Sequence, residues 1–238
     1  MEESNQFNAT FGDVNSNFDP SMLQTSDIIQ LGMAIDNSYS ISNFVDDLNA
    51  AKRGTIERMK KSHHAPKILF SELNFSTKIE TIHGYHPIAN VTAQDIVPDQ
   101  TTPLFAATLQ LINDAIEYRE SVESNWGEAK TMLFVLTDGK DNTSQSQFNI
   151  APQDVKSRLE EYFKENEGAV ATFEVFLLGI GKQNYDYFKA AASDMGVKLI
   201  AQDPNDNRPI EEVVRGYMTV VSESASSGST SNVQNLVI

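Results

Sequence analysis

Ile35-Asp36-Asn37-Ser38-Tyr39-Ser40 is the stretch on which the fold turns. It closes an apolar run, Ile28-Ile29-Gln30-Leu31-Gly32-Met33-Ala34, and a helical period begins at Ile41. The run is apolar on both sides of the two-residue alternation, as in a strand covered on both faces. Asp36, Ser38 and Ser40 are therefore expected at the carboxyl end of a buried strand, where open α/β sheets bind ligands. One carboxylate and two hydroxyls within five residues suit a small hard cation such as Mg²⁺. They also suit a plain turn with a helix N-cap, because Asp and Ser are common there. The remaining sequence has to separate these two.

Outward from this stretch, strands and helices alternate. Ile41, Phe44, Val45, Leu48, Thr55, Ile56 and Met59 follow the rhythm of a helix with one buried face. Lys52, Arg53, Arg58, Lys60 and Lys61 are assigned to its solvated side. Residues 67–75 read as a second strand and 78–83 as an alternating edge strand, joined by a tight turn at Ser76-Thr77. Thr102 precedes Pro103, a residue suited to the first turn of a helix, so Thr102 is the expected N-cap. Residues 130–137 form the clearest strand and run into Asp138-Gly139-Lys140-Asp141-Asn142, where Asp141 and Asn142 are read as solvated loop. A helix from Pro152, a strand over 170–178, a helix over 184–193, a strand over 197–200 and a helix from Pro209 complete the order. The pattern predicts a doubly wound α/β fold. Its sheet is six-stranded and mostly parallel, with one antiparallel edge strand and helices on both faces. Asp36 and Asp138 end two of its strands. If these are neighbours, both carboxylates enter one crevice and repel unless a proton or cation lies between them.

Composition narrows the partners. The chain carries 33 acidic and 18 basic side chains, a net charge of −15. Nucleic acid and anionic membrane surfaces need a basic face and are disfavoured. No cysteine is present, which removes thiol catalysis, disulfides and zinc–thiolate sites. No apolar run is long enough to span a membrane. Met1-Glu2-Glu3-Ser4-Asn5 has neither the basic start nor the apolar core of a leader peptide, so a cytoplasmic protein is expected. Residues 1–25 read as a flexible arm bearing Phe7, Phe11 and Phe18, expected to pack on the domain. Residues 26–222 read as the domain, and 223–238 as a Ser-rich tail with an apolar end, Val233 to Ile238.

An Asp-x-Ser-x-Ser on the first strand, a Thr before a helix, and the Asp of Leu136-Thr137-Asp138-Gly139 together resemble the von Willebrand factor A (VWA) domain. The likeness covers about residues 26–222 and is to the cytoplasmic single-domain type. It implies a metal-ion-dependent adhesion site with Ser38, Ser40 and Thr102 as hydroxyl ligands. Asp36 and Asp138 would bind directly or through water. Thr102 is preferred to Thr101 because the family's Thr commonly stands just before this helix. The implied ion is Mg²⁺, with Mn²⁺ and Ca²⁺ as alternatives, and it bridges to a carboxylate of a protein partner. Such members often work with an ATPase or a multi-protein complex. The chain departs from the family at Tyr39, where a Gly is common. That ring would stand beside the metal and alter what approaches it.

Three other functions compete for the same sequence features. A phosphatase of the haloacid-dehalogenase type needs an acid two residues after its nucleophilic Asp, and Ser38 stands there. Gly179-Ile180-Gly181 lacks the third glycine of a dinucleotide fingerprint and follows a late strand. A purely structural VWA subunit with an unused site is the remaining alternative. The expectation is a module without catalysis of its own.

Overall fold

The computed structural model describes residues 16–22, 28–126 and 129–230. Six strands form one sheet: β1 (Ile28–Asp36), β2 (Ile68–Phe75), β3 (Ile79–Pro87), β4 (Ala129–Thr137), β5 (Phe173–Gly179) and β6 (Lys198–Ala201). Their order across the sheet is β3-β2-β1-β4-β5-β6. Only β3 is antiparallel, paired with β2 at the edge. Five helices cover the sheet: α1 (Val45–Lys61), α2 (Leu104–Trp126), α3 (Pro152–Glu165), α4 (Tyr185–Met195) and α5 (Ile210–Ser227). This is the doubly wound arrangement expected from the alternation. The connection from β1 goes outward to β2, while β4 lies on its other side, so the order reverses between β1 and β4.

Successive residues of β1 feed two separate apolar layers. Ile29, Leu31, Met33 and Ile35 pack with residues of α1 and α5. Ile28 and Ala34 pack with residues of α2, α3 and α4. On the α2 side, Gln30 is buried and satisfied: its Nε2 donates to Ala115 O at 2.8 Å and its Oε1 accepts from Thr131 Oγ1 at 3.0 Å. Gly32 is required there by proximity, since a Cβ would lie 2.7 Å from Leu133 Cδ2 and 3.0 Å from Tyr85 Oη.

Several expectations need correction. Lys52 is not on the solvated face of α1; it is 1% exposed and its Nζ donates to Glu72 Oε1 of β2 at 2.7 Å. The helix expected from Ile41 starts at Val45, after a 3₁₀ turn over Tyr39–Asn43. The fifth strand starts at Phe173 rather than 170, because Glu167–Ala171 winds into a 3₁₀ turn that leaves Val170 exposed. The Ser-rich stretch placed in the tail continues α5 to Ser227, with Ser222, Ser224 and Ala225 buried. Its hydroxyls bond back to the helix, Ser222 Oγ donating to Thr219 O at 2.9 Å, and small side chains let α5 lie close to α1. Gly228, at φ 58°, ends the helix in the left-handed conformation.

Of the N-terminal arm, Phe18 does pack on the domain. Its N donates to Tyr85 O at 2.7 Å and its O accepts from Tyr118 Oη at 3.0 Å. Phe7, Phe11 and the apolar end Val233 to Ile238 lie outside the described residues.

Candidate metal centre

β1 and β4 are adjacent and parallel, with Ile35 opposite Leu136. Their carboxyl ends therefore deliver Asp36, Thr137 and Asp138 to one place, at the reversal of strand order where such sheets open a crevice. The turn after β1 is pinned from two sides. Asn37 N donates to Phe75 O at 3.0 Å, and Asn37 O accepts from Asp99 N at 2.6 Å. Ser38 forms a single parallel bridge with Asp99.

From this base a series of hydrogen bonds runs through the turn. Asp36 Oδ1 accepts from Ser38 N at 2.8 Å, and its Oδ2 accepts from Thr137 Oγ1 at 2.5 Å. Ser38 Oγ and Ser40 Oγ are 3.0 Å apart, and Ser40 Oγ donates to Asp138 Oδ1 at 2.6 Å. Thr102 joins across Gly139: a Cβ on that glycine would be 3.3 Å from Thr102 Oγ1 and 3.7 Å from Ser40 Oγ. The structure thus brings together all five residues singled out in the sequence.

The floor of this cluster is dry and its rim is open. Asp36, Ser38 and Thr102 are 1%, 2% and 3% exposed. Ser40 is exposed and Asp138 is half-buried. Burial pushes the Asp36 carboxyl up to about 7, against the hydrogen bonds from Thr137 and Ser38 and with a further push from the charge of Asp138. Burial also raises Asp138, with the Ser40 hydrogen bond opposing. Both carboxylates are thus held where the charged form is penalised, and a cation between them removes that penalty.

The donor set fits a hard divalent ion: two carboxylates and three hydroxyls, with no thiol or imidazole. Among the described residues no group of three or more His, Asp or Glu side chains is arranged for a metal. The candidate centre therefore depends on its hydroxyls as much as on its two acids. His83, one of the four histidines, instead has its Nε2 2.9 Å from Thr92 O.

Three neighbours of the site, Asp141, Asn142 and Thr137, have contacts that the sequence does not reveal. Asp141 and Asn142 do lie in a loop, Asn142 exposed and Asp141 half-buried, but their side chains are engaged by the segment that carries Thr102. Asn142 grips Thr102 twice: its Oδ1 accepts from Thr102 N at 2.9 Å, and its N donates to Thr102 O at 3.1 Å. Asp141 Oδ2 accepts from Phe105 N at 3.2 Å, and Ser144 Oγ accepts from Ala106 N at 3.0 Å. Asp141 and Ser144 thus cap α2, the task expected of Thr102. The available signal was the pair of short polar side chains just past a strand-end Asp-Gly, the type that caps helices. Thr137 was also missed, because a Thr at a strand end looks like strand propensity alone.

No family model matches the sequence, and no curated protein does. Comparison with solved structures does find likenesses. Proximal thread matrix protein 1 from the mussel byssus matches at TM-score 0.53 and 14% identity, over 84% of this chain and 46% of that one. The pilus adhesin SpaC from Lactobacillus rhamnosus GG matches at TM-score 0.56 and 10% identity, over 85% of this chain and 30% of that one. The vWF domain of the type V pili tip protein Mfa5 from Porphyromonas gingivalis matches at TM-score 0.50 and 7% identity, over 86% of this chain and 97% of that one. This chain therefore spans about half of the mussel protein and under a third of the adhesin, but almost the whole Mfa5 domain. Together with the strand order and its reversal between β1 and β4, these likenesses establish that the chain has a von Willebrand factor A-type fold.

Proposed function

We propose that this protein is a divalent-metal-dependent protein-interaction module. In this proposal Asp36, Ser38, Ser40, Thr102 and Asp138 hold a Mg²⁺ ion, with Mn²⁺ and Ca²⁺ as alternatives, and a carboxylate of a protein partner completes its coordination. The observation that carries it is the contact chain from Asp36 to the Ser38 backbone N–H and from the Ser38 hydroxyl through the Ser40 hydroxyl to Asp138, which links two desolvated carboxylates within one turn. The dry floor favours retention of the ion, and the open rim at Ser40 and Asp138 leaves room for an oxygen from another molecule. When bound, the ion supplies positive charge between two acids and a point of attachment for a third.

The proposed module has no catalysis of its own. Asp36 is the strand-end acid that a phosphatase would use as nucleophile. Here both of its oxygens are engaged and it is buried, which argues against attack on a phosphate. A structural subunit with an idle site is the competing function. A cytoplasmic setting and assembly with an ATPase or a multi-protein complex belong to the same proposal. Among the described residues no helix is long and apolar enough to cross a membrane.

Calorimetric titration of chelator-treated protein with Mg²⁺ and Mn²⁺, beside Asp138→Ala, tests the proposal. Saturable binding lost in the variant is the expected result. No binding, or equal binding by both proteins, overturns the metal site. Cell fractionation, and capture of partners with and without chelator, tests the setting and the bridge.

A further inference from the structure

We propose that the rim of this site selects a partner segment in which a single carboxylate is flanked by apolar side chains, and that Tyr39 and Val97 form the selecting surface. This rests on the metal-dependent function proposed above and says what kind of segment that site accepts.

Among the described residues, four large apolar side chains stand exposed: Met22, Tyr39, Val97 and Val170. Val170 precedes β5 and so lies toward the opposite end of the sheet from the candidate centre. Tyr39 and Val97 are the two most exposed of the four, at 75% and 72%, and both belong to backbone at the turn that carries Ser38 and Ser40. Tyr39 is inserted between Ser38 and Ser40. Val97 belongs to the segment tied to this turn, since its O accepts from Asn37 Nδ2 at 3.1 Å and the Ser38–Asp99 bridge lies two residues on. In this proposal the residues beside a carboxylate that enters the open rim meet this pair.

Both positions are held by their backbones. Tyr39 O accepts from Ser42 Oγ at 2.6 Å within the 3₁₀ turn. Ile96, next to Val97, is clamped by Asn49 of α1: Asn49 Oδ1 accepts from Ile96 N at 2.7 Å, and Asn49 Nδ2 donates to Ile96 O at 3.2 Å. Apolar side chains on a fixed backbone bind at low ordering cost, and an exposed Tyr is a frequent anchor of interfaces.

Charge narrows the partner further. Asp46 and Asp47 lie in the first turn of α1, and Asp95 and Asp99 on the loop with Val97. Asp95 is paired with Arg53 and Lys140 stands exposed two residues past Asp138, but the net charge of −15 still disfavours a partner rich in acids. The fit is one acid set among apolar neighbours.

The test uses the full chain loaded with Mg²⁺ and three labelled nine-residue peptides. One has a central Asp flanked by Leu and Phe, one has the same Asp flanked by Ser and Gly, and one has three consecutive Asp. Fluorescence anisotropy is read with Mg²⁺ and with chelator, and Mn²⁺ uptake is measured separately on every variant. The apolar-flanked peptide is expected to bind at least about fivefold more tightly than the other two. The double variant Tyr39→Gly/Val97→Ser should lose about tenfold or more of that affinity while taking up Mn²⁺ like the wild type. Equal binding of the three peptides, absence of binding to a loaded protein, or a preference that survives the double variant overturns the proposal and leaves the metal site standing. Failure of the wild type to take up Mn²⁺ instead overturns the function on which it rests.

Discussion

Replacing Lys52 by Met should destabilise the protein far more than its position on a helix suggests. Lys52 and Glu72 are 1% and 0% exposed, so water cannot solvate either charge. Glu72 Oε1 has the ammonium at 2.7 Å, and Glu72 Oε2 has no hydrogen-bond partner among the described residues. Removing Lys52 leaves both carboxylate oxygens buried and unpaired. Breaking one side of a buried pair costs about 3–5 kcal/mol. For a chain of 238 residues this lowers Tm by about 6–20 °C. Thermal and urea unfolding of metal-free protein measures it. The double variant Lys52→Met/Glu72→Leu removes both charges and keeps the volume, and should recover most of the loss, since apolar replacements of such pairs are often neutral or better. A single variant costing less than about 1 kcal/mol would refute the reasoning. So would a double variant as damaged as the single one.

Three further outcomes are expected. Asn142→Ala removes an Oδ1 acceptor that holds Thr102, and should weaken Mn²⁺ binding about 10–100-fold in calorimetry while circular dichroism stays unchanged. Gly32→Ala drives a Cβ to within 2.7 Å of Leu133 Cδ2, and should cost about 1–3 kcal/mol in urea unfolding without removing metal binding. Mg²⁺ at about 100 times its dissociation constant should stabilise the wild type by about 2.7 kcal/mol, raising Tm. The same addition to Asp138→Ala should leave Tm where it was; an equal rise in both proteins would place the bound ion elsewhere.

The sheet was legible because its strands are long, apolar and bounded by turns. Residues 28–36 and 129–137 leave little choice of element. The two acids followed from them, since Asp36 closes β1 and Asp138 follows the last residue of β4, at the carboxyl ends of adjacent parallel strands. Pairing between distant elements was not legible. Lys52 looks solvated in a helical projection because its partner lies on β2, and periodicity does not register charge matching between segments. The end of α5 was hidden by composition, because Ser and Gly are common in linkers and nothing local signals that Ser222 and Ser224 are buried. Asp141 and Asn142 were misread for a related reason. Short polar residues favour both open loops and caps, and only the packing of α2 against the loop after β4 selects the cap.

The contact chain at the candidate centre has a consequence for how the protein is made. Ser40 and Asp138 are 98 residues apart, and Asp36 and Thr137 are 101 apart. Neither the N-terminal nor the C-terminal half of the chain contains the whole centre. During synthesis, β1 and its serines emerge long before β4, and the centre closes only when β4 has added beside β1. A chain that ends before β4 lacks Asp138 and, under the proposed function, keeps only part of the ligand set. Engagement of a partner through that ion would therefore be confined to molecules whose central sheet is complete, and loss of the ion would be an early sign that β1 and β4 had parted.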